Sequence, residues 1–228
     1  MIPLRYLFFL ALTLPLAACA TTKLEPGCAD NAMCAARAAE SHLLIAGRAE
    51  RHGDDLVLRP ARGDRLVFTD HKQACESDDV DNCIGFALMG DFRKSNAWVL
   101  QKFYYEGGSF VLIDDRSGRQ TDLNGMPVFS PDGRKFLVTP YDLENGAGPN
   151  NMEIWRRDGE GAVLEWAHTF EQALAEAPDL QIPYLTEGVT WHKDGIVLRF
   201  SDLETGRKWS GSLIHDAAGW HLLGAAPR

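Results

Sequence analysis

Met126-Pro127-Val128-Phe129-Ser130-Pro131-Asp132-Gly133 leads into Lys135-Phe136-Leu137-Val138-Thr139. The order of parts returns in Val189-Thr190-Trp191-His192-Lys193-Asp194-Gly195, followed by Ile196-Val197-Leu198-Arg199-Phe200. Each copy is an aromatic, two intervening residues, Asp-Gly, and then an apolar run. Asp-Gly after a strand marks a tight turn, because glycine reaches positive φ without steric cost. The first copy continues through Met152-Glu153-Ile154-Trp155-Arg156 and Val163-Leu164-Glu165-Trp166, the second through Lys208 to Ile214 and Trp220 to Leu223. Two successive units of four antiparallel strands are therefore predicted.

Working outward, Trp98-Val99-Leu100-Gln101-Lys102-Phe103-Tyr104-Tyr105 and Ser109-Phe110-Val111-Leu112-Ile113 flank Glu106-Gly107-Gly108, which reads as a hairpin closed by a Gly-Gly turn. Both strands are apolar at nearly every position, so both faces are expected to be buried, while the polar stretch Arg119 to Leu123 suits an outer edge. Asp55 to Arg59 and Arg65 to Thr69 make an earlier hairpin. Ala29 to Ala46, rich in alanine, predicts a helix starting near Asp30 as cap. Thr169 to Ala177 predicts a short inserted helix, with Thr169 and Gln172 as a capping box and Pro178 beyond its end. The fold class is all-β: antiparallel blade-like sheets, about three to four units, with an N-terminal helix and one short inserted helix. The expected boundaries are a helical N-terminal segment over 28–52 and one β domain over 53–228.

Phe129-Ser130-Pro131-Asp132-Gly133, echoed by Trp191-His192-Lys193-Asp194-Gly195, resembles the blade repeat of the Tol-system periplasmic propeller protein and its relatives. The resemblance implies that the aromatic ends the innermost strand of a blade and that Asp-Gly turns the chain into the next. The chain departs from that pattern in size: at about 40 to 45 residues per blade, the β region holds four blades at most. The relatives usually carry six or more, so a closed ring is not expected. The chain also looks like uncharacterised bacterial lipoproteins of similar texture, a likeness that brings no activity with it.

The N-terminus carries an address. A basic start at Arg5, the apolar run Leu7 to Leu14 and a small-residue end form the tripartite plan of a secretory signal over 1–18. The apolar run is shorter than the roughly 20 residues that span a bilayer. Leu16-Ala17-Ala18-Cys19 resembles the lipobox of bacterial lipoproteins, and the resemblance implies cleavage before Cys19 and lipidation of its sulfur and its new amino group. Several acyl chains anchor a protein where one binds only reversibly. In Gram-negative members an aspartate after the cysteine retains the protein at the inner membrane. Ala20 stands there instead, which implies the outer membrane, with the domain facing the periplasm. Residues 19–27, with Pro26 and no apolar periodicity, are expected to form the lipidated tether.

Removing residues 1–18 takes only Arg5 of the 23 basic residues and none of the 32 acidic ones, so the formal charge moves from −9 to −10. Such a surface repels nucleic acid and anionic headgroups. Of the five cysteines, Cys19 is assigned to lipid, leaving Cys28, Cys34, Cys75 and Cys83 as disulfide candidates in an oxidising compartment. Short separations favour Cys28 with Cys34 and Cys75 with Cys83, though four cysteines allow three connectivities. A continuous helix from Ala29 would oppose the first pairing. No CxxC or matching histidine pair points to zinc.

No nucleophile elbow, phosphate loop, dinucleotide fingerprint or HExxH helix occurs, and neither catalytic nor metal residues nor a cofactor are assigned. The acidic loop Glu76 to Asn82 lacks the spacing and central glycine of an EF-hand. Asp114-Asp115 reads as a turn before Arg116-Ser117-Gly118 rather than as an acid and base pair. Arg62-Gly63-Asp64 likewise reads as a turn. The six tryptophans favour core packing over a glycan-stacking surface, since all but Trp209 sit in strongly apolar runs. The glycine-rich loop Asp142 to Asn151 is the better candidate for binding residues. The leading expectation is a non-enzymatic envelope module that binds a protein or cell-wall partner, held to the membrane by its N-terminal lipid. The rival classes are an envelope hydrolase built on some of the seven histidines, and a hydrolase inhibitor presenting the Cys75 to Cys83 loop.

Overall fold

Runs of aliphatic and aromatic residues, punctuated by glycine, aspartate and proline, fold into four antiparallel sheets, each a meander whose spatial order follows the chain. The computed structural model describes residues 32–77, 79–105, 107–139, 152–159, 161–169, 172, 185–201 and 205–224. The first sheet holds β1 (Ala49–His52), β2 (Asp55–Leu58) and β3 (Leu66–Thr69). The second holds β4 (Ile84–Phe92), β5 (Ala97–Tyr104), β6 (Gly107–Asp114) and β7 (Gln120–Leu123). The third holds β8 (Val128–Phe129), β9 (Lys135–Val138), β10 (Met152–Arg157) and β11 (Ala162–His168). The fourth holds β12 (Leu185–His192), β13 (Gly195–Ser201), β14 (Lys208–Asp216) and β15 (Gly219–Leu223).

The period of two along each strand sends alternate side chains to opposite faces, and the cores show it. Trp98 and Leu100 of β5, with Val111 and Ile113 of β6, meet Ala49, Leu56 and Leu58 of the first sheet. The intervening Ala97, Val99, Phe110 and Leu112 meet Phe136 and Val138 of the third. Leu137 and Ile154 then turn the other way, onto Ile196, Leu198, Phe200 and Leu213 of the fourth. Each sheet thus faces the next; β5 and β6 of the second are buried on both faces, as their composition predicts, and β9 of the third is buried on both as well. Among the described residues no such cluster joins the first sheet to the fourth. At about 1.5 to 3 kcal/mol per fully buried large apolar side chain, these three layers dominate the favourable side of folding.

The helix α1 (Ala32–Glu40) is shorter than the predicted Ala29 to Ala46, and residues 29–31 lie outside the described set. It stops at Glu40, a buried residue whose carboxylate accepts from the Leu88 amide at 2.8 Å and from the Arg51 guanidinium at 2.6 and 3.0 Å. Past it, Leu43 and Leu44 pack on the first core layer and Ile45 bridges to Ala49. Burial there takes Leu43 and Leu44 out of the helix, and the first sheet begins inside the segment expected to be helical. A second helix, α2 (Lys72–Glu76), precedes the acidic loop.

The hairpin β5–β6 is confirmed, but its turn is not Gly-Gly. Tyr104 pairs with Gly107 and Phe103 with Gly108, so both glycines belong to the returning strand and two residues make the connection. β7 forms the outer edge of its sheet, as its polarity predicts. Thr169 and Gln172 form the expected reciprocal cap: the Thr169 amide donates to Gln172 Oε1 at 2.8 Å and the Gln172 amide to Thr169 Oγ1 at 3.3 Å. The rest of that predicted helix lies outside the described residues.

Buried ion pairs bind the layers. Arg48 reaches Asp91 at 3.1 Å and Asp115 at 2.6 Å while lying 4.7 Å over the Trp98 ring, so it joins the first sheet to the second. Arg157 at the end of β10 reaches the fully buried Asp114 at 2.5 Å and joins the third to the second.

Candidate functional site

The two Asp-Gly turns converge on one cleft between the third and fourth sheets, with a cavity volume near 700 Å³. That size falls within the range of small-molecule sites, roughly 300 to 1,000 Å³.

One wall is the β8–β9 turn. The Ser130 hydroxyl lies 2.7 Å from Asp132 Oδ1 and 2.9 Å from the Lys135 carbonyl, and it accepts from the Lys135 amide at 3.0 Å. The Gly133 amide donates to the Ser130 carbonyl at 2.9 Å, and the Arg134 amide donates to Asp132 Oδ1 at 3.0 Å. Gly133 itself sits at φ 71°, as an Asp-Gly turn requires. The Ser130 hydroxyl, and after it the Arg134 amide, hold the Asp132 carboxyl below its ordinary pKa.

The opposite wall is the β12–β13 turn, and here the likeness in spelling conceals a different geometry. Phe129 pairs with Phe136 across a six-residue connection, whereas His192 pairs with Gly195 across two residues, Lys193 and Asp194. Gly195 is already a strand residue without positive φ, and glycine is needed there for space: a Cβ would stand 2.3 Å from the Leu213 carbonyl oxygen. The second Asp-Gly is thus not the same turn as the first.

Trp191 and Trp220 supply the apolar lining. Trp191 Nε1 donates to the Val128 carbonyl at 3.0 Å, which fixes its ring across the joint between the sheets. Trp220 lies beneath Lys135 Nζ at 5.3 Å and against His215 at 4.9 Å. Only Trp98 of the six tryptophans is fully buried; Trp155, Trp166, Trp191, Trp209 and Trp220 pack against cores while keeping part of their surface. The expectation of core packing is therefore met by one ring in full and by five in part.

The cleft is cationic on an acidic chain. Arg134, Lys135, Arg156 and Lys193 line it against Asp132 and Asp194. Glu165 lies behind Lys135 at 2.5 Å and Arg156 at 3.0 Å. Burial raises the Glu165 pKa, but Lys135, helped by Trp220 and Arg156, outweighs it and holds the carboxyl below its ordinary value. Four cations against three carboxylates leave one positive charge in a chain of net −9. Arg134 and Lys193, one on each turn, are exposed: the Arg134 side chain is 84% exposed and among the described residues pairs with Asp132 at 4.0 Å.

The residues singled out in the sequence fare as follows. Cys75 and Cys83 are joined in a disulfide, and Cys34 is disulfide-bonded. Cys19 and Cys28 lie outside the described residues, as does the loop 142–151. Among the described residues no group of three candidate ligands gathers for a metal, and Asp79 of the acidic loop accepts instead from the Asn82 side chain at 3.0 and 3.1 Å. Asp114 caps its turn, accepting from the Arg116 and Ser117 amides at 3.0 and 2.9 Å. Gly63 of the Arg-Gly-Asp tripeptide sits at φ 90°, and the Arg62 amide bonds to the Arg116 carbonyl. His52 on Glu50 and His221 on Asp216 are exposed pairs outside the cleft, while His192 and His215 line it.

No family model, no curated protein and no solved structure matches this chain.

Proposed function

We propose that the chain is a lipid-anchored envelope protein, tethered through Cys19 at the outer membrane, whose stacked blades act as a non-enzymatic binding module. Its partner docks at the cleft between the third and fourth sheets. The supporting observation is the meeting of two turns, separated by about sixty residues of chain, on one concave site that gathers tryptophans and an excess of one positive charge. Ser130, a serine lining the cleft, is hydrogen-bonded within its own turn and to Asp132, which supports binding over hydrolysis. The lipobox-like Leu16-Ala17-Ala18-Cys19, behind a signal-like apolar run, supports the envelope setting.

Two measurements test the reading. Cys19→Ala is expected to release the protein from the membrane fraction, and retention there would overturn the anchor. A photo-crosslinking residue at Lys193 is expected to capture envelope material in living cells, whereas the same residue at Val67, exposed on the first sheet, is expected to capture none. Equal capture at both positions would overturn the cleft as the docking site.

A further inference from the structure

We infer that the cleft takes a saccharide that carries a carboxylate, an inference that rests on the cleft's being a binding site. Indole faces stack on the apolar faces of sugar rings, and Trp191 is held in a fixed orientation through its bond to Val128. Asp132 and Asp194 supply acceptors for hydroxyl groups, whereas a polyanion would be repelled by them and by the chain's net charge of −9. Arg134 and Lys193 supply the counter-charge for one carboxylate, and the planar arginine fork matches a carboxylate in two-point contact.

A phosphate fits less well. Phosphate sites on turns draw on free backbone amides, but the amides of Gly133, Arg134 and Lys135 are all spent inside the turn, on Ser130 and Asp132. On the β8–β9 wall, therefore, an anion is left to side chains.

The test uses the full chain in detergent, with tryptophan fluorescence and titration calorimetry as readouts. The probes are galacturonic acid, its methyl ester, the disaccharide of N-acetylglucosamine and N-acetylmuramic acid, and inorganic phosphate. At least one of the two acidic saccharides is expected to saturate the protein and shift tryptophan emission. Esterification, or the double change Arg134→Glu and Lys193→Glu, is expected to weaken binding about tenfold or more, with the melting temperature unchanged. Equal affinity for acid and ester would overturn the carboxylate, and competition by phosphate at matching concentration would overturn the saccharide. Failure of both acidic saccharides to saturate would overturn the ligand class. The proposed function would stand in that case if crosslinking at Lys193 persisted, and fall with it if crosslinking were lost too.

Discussion

Asp114 and Asp115 are neighbours in the chain that serve different neighbours in space: Asp114 takes Arg157 from the third sheet, and Asp115 takes Arg48 from the first. Removing one member of a buried pair strands the other, so Asp114→Ala is expected to cost about 3 to 5 kcal/mol in urea unfolding. Asp115→Ala is expected to cost less, since the Arg48 partner side chain retains 25% exposure and keeps Asp91. Gly133 gives a second residue-scale contrast. Alanine there meets the Lys94 carbonyl oxygen at 2.9 Å as well as an unfavourable φ, whereas at Gly53, φ 64°, nothing lies within 4 Å. Gly133→Ala is expected to destabilise by about 2 to 3 kcal/mol and Gly53→Ala by about 1, measured by the same unfolding curves. At this scale the sequence was legible where chemistry is local. Asp114 as a turn former and Thr169 with Gln172 as a cap depend on residues two or three apart. The role of Asp114 toward Arg157 depends on sheet stacking across 43 positions, for which no spacing rule exists.

The pattern of apolar and β-branched runs punctuated by turn residues foretold most strands, but neither β1 nor β4. It foretold the hairpin β5–β6 but misplaced the turn, since glycine can serve a strand as well as a bend. It read Leu43-Leu44-Ile45 as the end of a helix, because a short apolar run does not reveal whether it faces a helix groove or a sheet. In the third sheet, Glu165 of β11 ties β9 to β10 through Lys135 and Arg156. Its carboxyl is held below the ordinary glutamate value, so its stabilisation is complete above that value and is lost as pH falls through the lower, folded one. The melting temperature of the protein is thus expected to fall on acidification below about pH 4.3, with a shallower fall in Glu165→Gln. An equal slope in both proteins would refute this role. The disulfide Cys75–Cys83 closes a short loop between α2 and β4. Its reduction is expected to cost roughly 2 to 3 kcal/mol, read as a lower denaturant midpoint.

At the scale of the whole molecule, each sheet leans on its sequence neighbours, and the two inner sheets are covered on both faces. Amide hydrogen exchange is therefore expected to be slowest in β5 and β6 and to quicken toward the first and fourth sheets; uniform protection would show instead that the layers open as one. The cleft was illegible in the sequence for the same reason that it exists: it belongs to neither sheet, only to their joint. That position has a mechanical corollary. The fourth sheet, like the first, has one neighbour in the described stack, and anything bridging Arg134 and Lys193 works as a rivet across its joint. Occupancy would then be recorded as slower exchange in β12 to β15, well beyond the residues touched, and the outermost blade would report on whether the protein has found what it holds.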